Sequence, residues 1–145
     1  MNSTLQALVW HRAGSCCEDC RMPQACDVVP FEIDHIVPVV HGGPTRASNL
    51  GLACWYCNCY KGPNLTGIDP ATRRIVRLFH PRRHKWKYHF RWEGPLLIGR
   101  TAIGRTSIAV LRINLDYRAT LRQALIEEGC FPPPEPAGTP VDPDS

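Results

Sequence analysis

Cys17-Glu18-Asp19-Cys20 and Cys54-Trp55-Tyr56-Cys57 are the stretches whose reading decides the fold of this chain. Each is a Cys-x-x-Cys knuckle, and the two-residue gap lets both sulfurs of a pair face one ion. Two such pairs complete a tetrahedral site of the kind that holds structural zinc. Residues 15–65 contain seven of the eight cysteines, with Pro, Gly and Asn between short apolar runs. So little apolar sequence cannot stabilise a fold through burial alone, which is the situation a metal staple remedies. The register has alternatives: Cys16 can replace Cys17, and Cys59 offers a Cys57-x-Cys59 pair. Two equal knuckles favour Cys17, Cys20, Cys54 and Cys57. A closed set of four thiolates holds a fold and does no chemistry.

Outward from the knuckles, the 145 residues suit one domain with a small appendage. No apolar run approaches the roughly 18 residues of a membrane span. The first dozen residues lack a basic leader and a long apolar stretch, so no secretory signal is expected. Reduced, metal-binding thiols and a cytoplasmic location follow as expectations, and a disulfide-built extracellular protein is disfavoured. The net charge is +4, yet all 17 basic residues and only ten acids precede Cys130, which gives that body +7. A basic body points weakly to a polyanionic partner.

Ser3 to about Ala13 reads as a helix opened by a Ser3-x-x-Gln6 capping box. Arg74 to Phe79 reads as one strand and Lys85 to Trp92 as another, joined around Pro81 as a hairpin. On that second strand Trp86, Tyr88, Phe90 and Trp92 would share one face, which is expected in the core. Lys85, Lys87, His89 and Arg91 would share the other, and with Arg82 and Arg83 follow a phosphate backbone. Ala102–Leu111 and Asp116–Glu128 read as helices. Six of the 14 prolines fall in 132–145, so residues 130–145 are expected to form a disordered tail.

Between the knuckles, Glu32-Ile33-Asp34-His35-Ile36 alternates as a short strand. A loop with Gly42-Gly43 follows, then Asn49-Leu50, and after the second knuckle Asn58-Cys59-Tyr60-Lys61-Gly62. Asp34-His35, Asn49 and Cys54-x-x-Cys57-Asn58-x-x-Lys61-Gly62 together resemble the HNH endonucleases of the zinc-bearing ββα-metal type. Asn49 lies 14 residues after His35, and Asn58 nine after that. The resemblance is close over about residues 5–65. It extends loosely through Phe79 and His84 to Trp92, like a C-terminal extension of some small bacterial members.

The resemblance implies an α+β fold: a small ββα-metal core with its knuckle pair over 1–68. The elements read above place a basic β-hairpin and two helices over 69–129 after it, then the tail. The resemblance also implies His35 as general base, Asp34 and Asn58 as ligands of a catalytic Mg²⁺ or Mn²⁺, and Asn49 bracing the loop that orients His35. Each role suits its residue type. A base needs a pKa near neutrality, and Mg²⁺ takes a few hard oxygens and fills its shell with water and phosphate. The expected activity is nicking of DNA, or second RNA, to leave 5′-phosphate and 3′-hydroxyl ends. Lys61 is either a phosphate contact or a solvated helix residue. A zinc-stapled nucleic-acid-binding module without catalysis is the rival expectation.

Overall fold

A computed structural model describes residues 1–136. Helix α1 spans Ser3–Arg12. It is opened by Asn2, whose Oδ1 accepts from Leu5 N at 2.8 Å, not by the Ser3/Gln6 box. A short amide side chain one residue earlier reaches the same unpaired backbone donors. Val9 and Ala13 carry the helix into the core against Leu50 and Leu52.

The centre of the molecule is a ββα unit. Strands β1 (Glu32–His35) and β2 (Leu50–Ala53) are antiparallel, with Asp34 opposite Gly51 and His35 opposite Leu50. All four residues of β2 are buried, so this strand is the floor on which the rest is laid. Helix α2 (Trp55–Lys61) starts where Cys54 caps it, its Sγ accepting from Cys57 N at 3.4 Å. A ligand-bearing knuckle therefore doubles as the start of the helix.

The extension departs from the single hairpin expected. Strand β3 (Thr66–Ile68) pairs with β4 (Ile75–Arg77). Residues 86–89 form a helical turn, α3 (Trp86–His89), before β5 (Phe90–Glu93) pairs with β6 (Leu96–Gly99). Strict alternation in 85–92 is thus broken, and the two expected faces do not exist. Trp86 and Phe90 are buried, Tyr88 is exposed, and His89, assigned to the solvent face, is only 2% exposed. The reason is a long-range contact: Trp86 turns inward and donates its indole N–H to the Asp19 carbonyl at 2.9 Å. His80, His84 and His89 gather around Phe79 in the same interior.

Helices α4 (Ala102–Leu111) and α5 (Asp116–Glu127) follow the sequence reading closely. Thr101 caps α4 by accepting from Gly104 N at 3.1 Å. The expectation of disorder from residue 130 fails for 130–136. Phe131 is buried against Trp92, with ring centroids 5.0 Å apart, and Glu135 pairs with Lys87 at 3.0 Å. An aromatic anchor and an ion pair outweigh the proline content there; the rest of the expected tail, 137–145, lies outside the described residues. Among the described residues no helix is long and apolar enough to cross a membrane.

Candidate active site and metal centre

Cys17, Cys20, Cys54 and Cys57 converge, with all four sulfurs within 4.8 Å of one another and all four residues buried. A tetrahedron with metal–sulfur bonds of roughly 2.3 Å has edges of about 3.8 Å. Cys20 Sγ lies 3.8 Å from Cys54 Sγ. The cluster therefore fits a structural zinc held by these four thiolates, and it settles the register. Cys16 bonds instead toward the Gly14 carbonyl, and Cys59 is exposed. Burial pushes the Cys17 thiol up, while hydrogen bonds from the other three hold Cys20 down. Four thiols this close cannot all ionise without a cation among them.

The sequence reading missed two residues behind this centre. Arg118 and Arg122 of α5 are 4% and 1% exposed, and both line the small cavity that Cys20, Cys54 and Cys57 border. Arg118 forms a bidentate pair with Asp27 at 3.0 and 2.8 Å. Arg122 donates to the carbonyls of Pro95 and Ile113. A zinc bound by four thiolates carries a net charge of −2, and these guanidiniums set positive charge beside it. Nothing in the spacing of α5 distinguishes them from solvated helix residues.

The second cluster forms where β1 ends. Asp34 and His35 are successive strand residues and so point to opposite faces. His35 Nε2 meets Thr45 Oγ1 at 2.8 Å. Its neighbouring loop is held by Asn49, 5% exposed. Asn49 Oδ1 accepts from Val37 N at 2.9 Å, and Nδ2 donates to the carbonyls of Val37 (3.0 Å) and Pro44 (2.9 Å). Gly43 is needed in that loop because a Cβ there would overlap the Val37 carbonyl. Thr45 was not singled out from sequence; a loop threonine has no spacing signal.

Lys61 matches neither alternative stated for it. It is 6% exposed, its ammonium lies 2.9 Å from Asp34 Oδ2, and it donates to the His35 carbonyl at 3.3 Å. One buried cation thus ties α2 to both residues at the end of β1. Burial raises the Asp34 carboxyl above its ordinary value, with Lys61 opposing. Asp19 borders the same small cavity as Asp34 and Lys61, and burial pushes its carboxyl up to about 8, with the charge of Asp34 adding to it. Asn58 sits on α2 one turn before Lys61. One Asp34 oxygen beyond the Lys61 pair and one amide oxygen are a donor set that a largely hydrated Mg²⁺ accepts.

The expected basic face is dispersed. Arg82 is turned inward, its guanidinium paired with Glu18, which also accepts from Leu52 N at 2.9 Å. Glu18 is 5% exposed and needs that cation. Lys87 faces Glu135, and Arg91 pairs with Glu93 at 3.2 Å. Arg83 and Lys85 stay at the surface.

Residues 17–63 match the family model described as HNH endonuclease. Neither the curated proteins nor the solved structures contain a match.

Proposed function

We propose that this chain, which carries an HNH endonuclease domain over residues 17–63, hydrolyses DNA phosphodiester bonds with His35 as general base. The observation that carries the reading is the end of β1. There His35 is held by Thr45 and the Asn49-braced loop, while Asp34 faces α2 across the strand. In the tautomer whose Nε2–H donates to Thr45 Oγ1, Nδ1 keeps its lone pair and would accept a proton from the attacking water. Asn49 fixes the loop so that this ring orientation is maintained before substrate arrives.

Asp34 and Asn58 would hold a divalent ion, Mg²⁺ or Mn²⁺, which when bound offsets charge at the phosphate and the leaving oxygen. Lys61 opposes the burial that disfavours the Asp34 carboxylate and aims it, and its bond to the His35 carbonyl holds the two residues in one frame. The products would be 5′-phosphate and 3′-hydroxyl ends, one strand cut per visit, in a cytoplasmic setting. The tetrathiolate zinc serves the frame.

The test is plasmid nicking across a panel of Mg²⁺, Mn²⁺ and Ni²⁺, run beside His35→Ala. A general base contributes about 10²–10⁴-fold, so the variant should retain zinc and fold and lose nicking by that factor. A His35→Ala protein that nicks at the parental rate would overturn the assignment. A second reading, a zinc-stapled DNA-binding module without catalysis, draws on the occupation of Asp34 by Lys61. Parent protein that binds DNA and never nicks it with any of the three ions would establish that reading.

A further inference from the structure

The hairpin β3–β4 lies outside the family match and has one face packed and one face bare. Its register sets Thr66 opposite Arg77, Gly67 opposite Val76 and Ile68 opposite Ile75. The Gly67/Val76 pair is the inner one: a Cβ on Gly67 would strike Val110 of α4, so the ribbon lies flush on that helix. By the period of two, Thr66, Ile68, Ile75 and Arg77 point outward. Ile75 is 74% exposed and Ile68 is 43% exposed. Scattered exposed apolar residues need no explanation, but these two are cross-strand partners in one patch.

The turn beyond them is rigid. Asp69, fully buried, accepts from Arg105 Nε and Nη2 at 3.0 and 2.9 Å, from Ala71 N at 3.0 Å and from Thr72 Oγ1 at 3.0 Å. This inward acid is neutralised by Arg105, so the charged side chains exposed on the turn are Arg73 and Arg74. Among the described residues no acid forms an ion pair with Arg73, Arg74 or Arg77. At the other end, Thr66 and Arg77 line a cavity of about 380 Å³ together with Ile36, Val37 and Lys61. The bare face thus reaches a cavity bordered by Ile36 and Val37, the residues that follow β1.

We propose that the outward face of the β3–β4 hairpin docks in the major groove of duplex DNA, with Arg73 and Arg74 on phosphates and Thr66, Ile68, Ile75 and Arg77 toward base edges. A two-stranded ribbon fits a major groove about 12 Å wide and not a minor groove of about 6 Å. Arginine suits guanine edges, threonine suits either hydrogen-bonding partner, and an aliphatic surface suits the thymine methyl. The inference rests on the reading of the chain as a DNA-cleaving enzyme and gives that reading a substrate grip.

The test is fluorescence anisotropy of full-length protein with a labelled duplex over a salt series, without added divalent ion. Zinc content and circular dichroism check each variant. Arg73→Ala/Arg74→Ala should flatten the slope of log affinity against log salt by about 2, since each phosphate that a cation no longer neutralises removes roughly 0.9 from it. Ile68→Ser/Ile75→Ser should weaken binding about tenfold at unchanged slope, because apolar contact with a thymine methyl releases no counterion. Replacing thymine by uracil in the duplex should reproduce much of that weakening. A major-groove ligand should compete and a minor-groove ligand should not. Either folded double variant binding with parental affinity and slope overturns the proposal, as does competition by the minor-groove ligand alone. Loss of binding in both variants, with no nicking by the parent, upholds the hairpin and refutes the nuclease reading. Parental nicking KM in both variants does the reverse.

Discussion

Replacing Asn49 by alanine removes one acceptor and one donor group that together make three hydrogen bonds across the loop beside His35. Val37 N and the Val37 and Pro44 carbonyls lose their partner. A net hydrogen bond is worth about 1 kcal/mol, and more where the orphaned group stays dry. Pro44 is exposed and its carbonyl regains water, whereas Val37 is half-buried. The expected loss is therefore about 2–3 kcal/mol. At roughly 3 °C per kcal/mol for a chain of this length, the melting midpoint should fall about 6–9 °C.

The four cysteines lie on other segments, so zinc content should stay at one per chain. Nicking at a temperature where the variant is folded should fall more than tenfold, because the loop no longer holds Thr45 against His35. Differential scanning calorimetry, zinc analysis and plasmid nicking read the three effects separately. Asn49→Asp keeps the acceptor for Val37 N and sets a carboxylate against two carbonyls, so it should be no better than alanine. A midpoint within 2 °C of the parent, or full nicking by folded Asn49→Ala, would refute the reasoning (~1 kcal/mol per bond being its premise).

Two further outcomes test the frame. Cys54→Ser should abolish zinc binding and cooperative folding, because structural zinc supplies on the order of 10 kcal/mol, whereas Cys16→Ser and Cys59→Ser should retain zinc; metal analysis of the purified variants decides it. Burial, joined at His80 by Arg83, lowers the His80 and His89 imidazoles to about 4. Between about pH 6.5 and pH 4 the unfolded chain takes up protons that the folded chain refuses, so stability falls as pH falls through that window. Thermal melts at stepped pH should show a shallower decline in His89→Asn than in the parent, and equal slopes would remove His89 from the cause.

Much of the ββα unit is legible in the chain because its signals are local. The knuckle gaps, the Asp34-His35 alternation and the α4 and α5 helices each depend on residues a few positions apart, and the 14-residue step from His35 to Asn49 stays within the loop that joins β1 to β2. The extension is not legible for the complementary reason. Residues 85–92 alternate like a strand, but Trp86 reaches Asp19 far back in the chain and bends the segment into a helical turn. Charge misleads in the same way. A lysine or arginine in sequence carries no sign of its partner, and Lys61 and Arg82 face Asp34 and Glu18 from distant segments.

The sequence by itself therefore marked the candidate metal ligands and proton carriers, since ligand type and short spacing are properties of the chain. Only the tertiary structure decided which thiols meet, which cations are internal, and that among the described residues Arg82, Lys87 and Arg91 sit in ion pairs while no acid pairs with Arg73, Arg74 or Arg77 of the β3–β4 hairpin. Those outcomes depend on burial, where a charge must find a partner wherever the fold brings one.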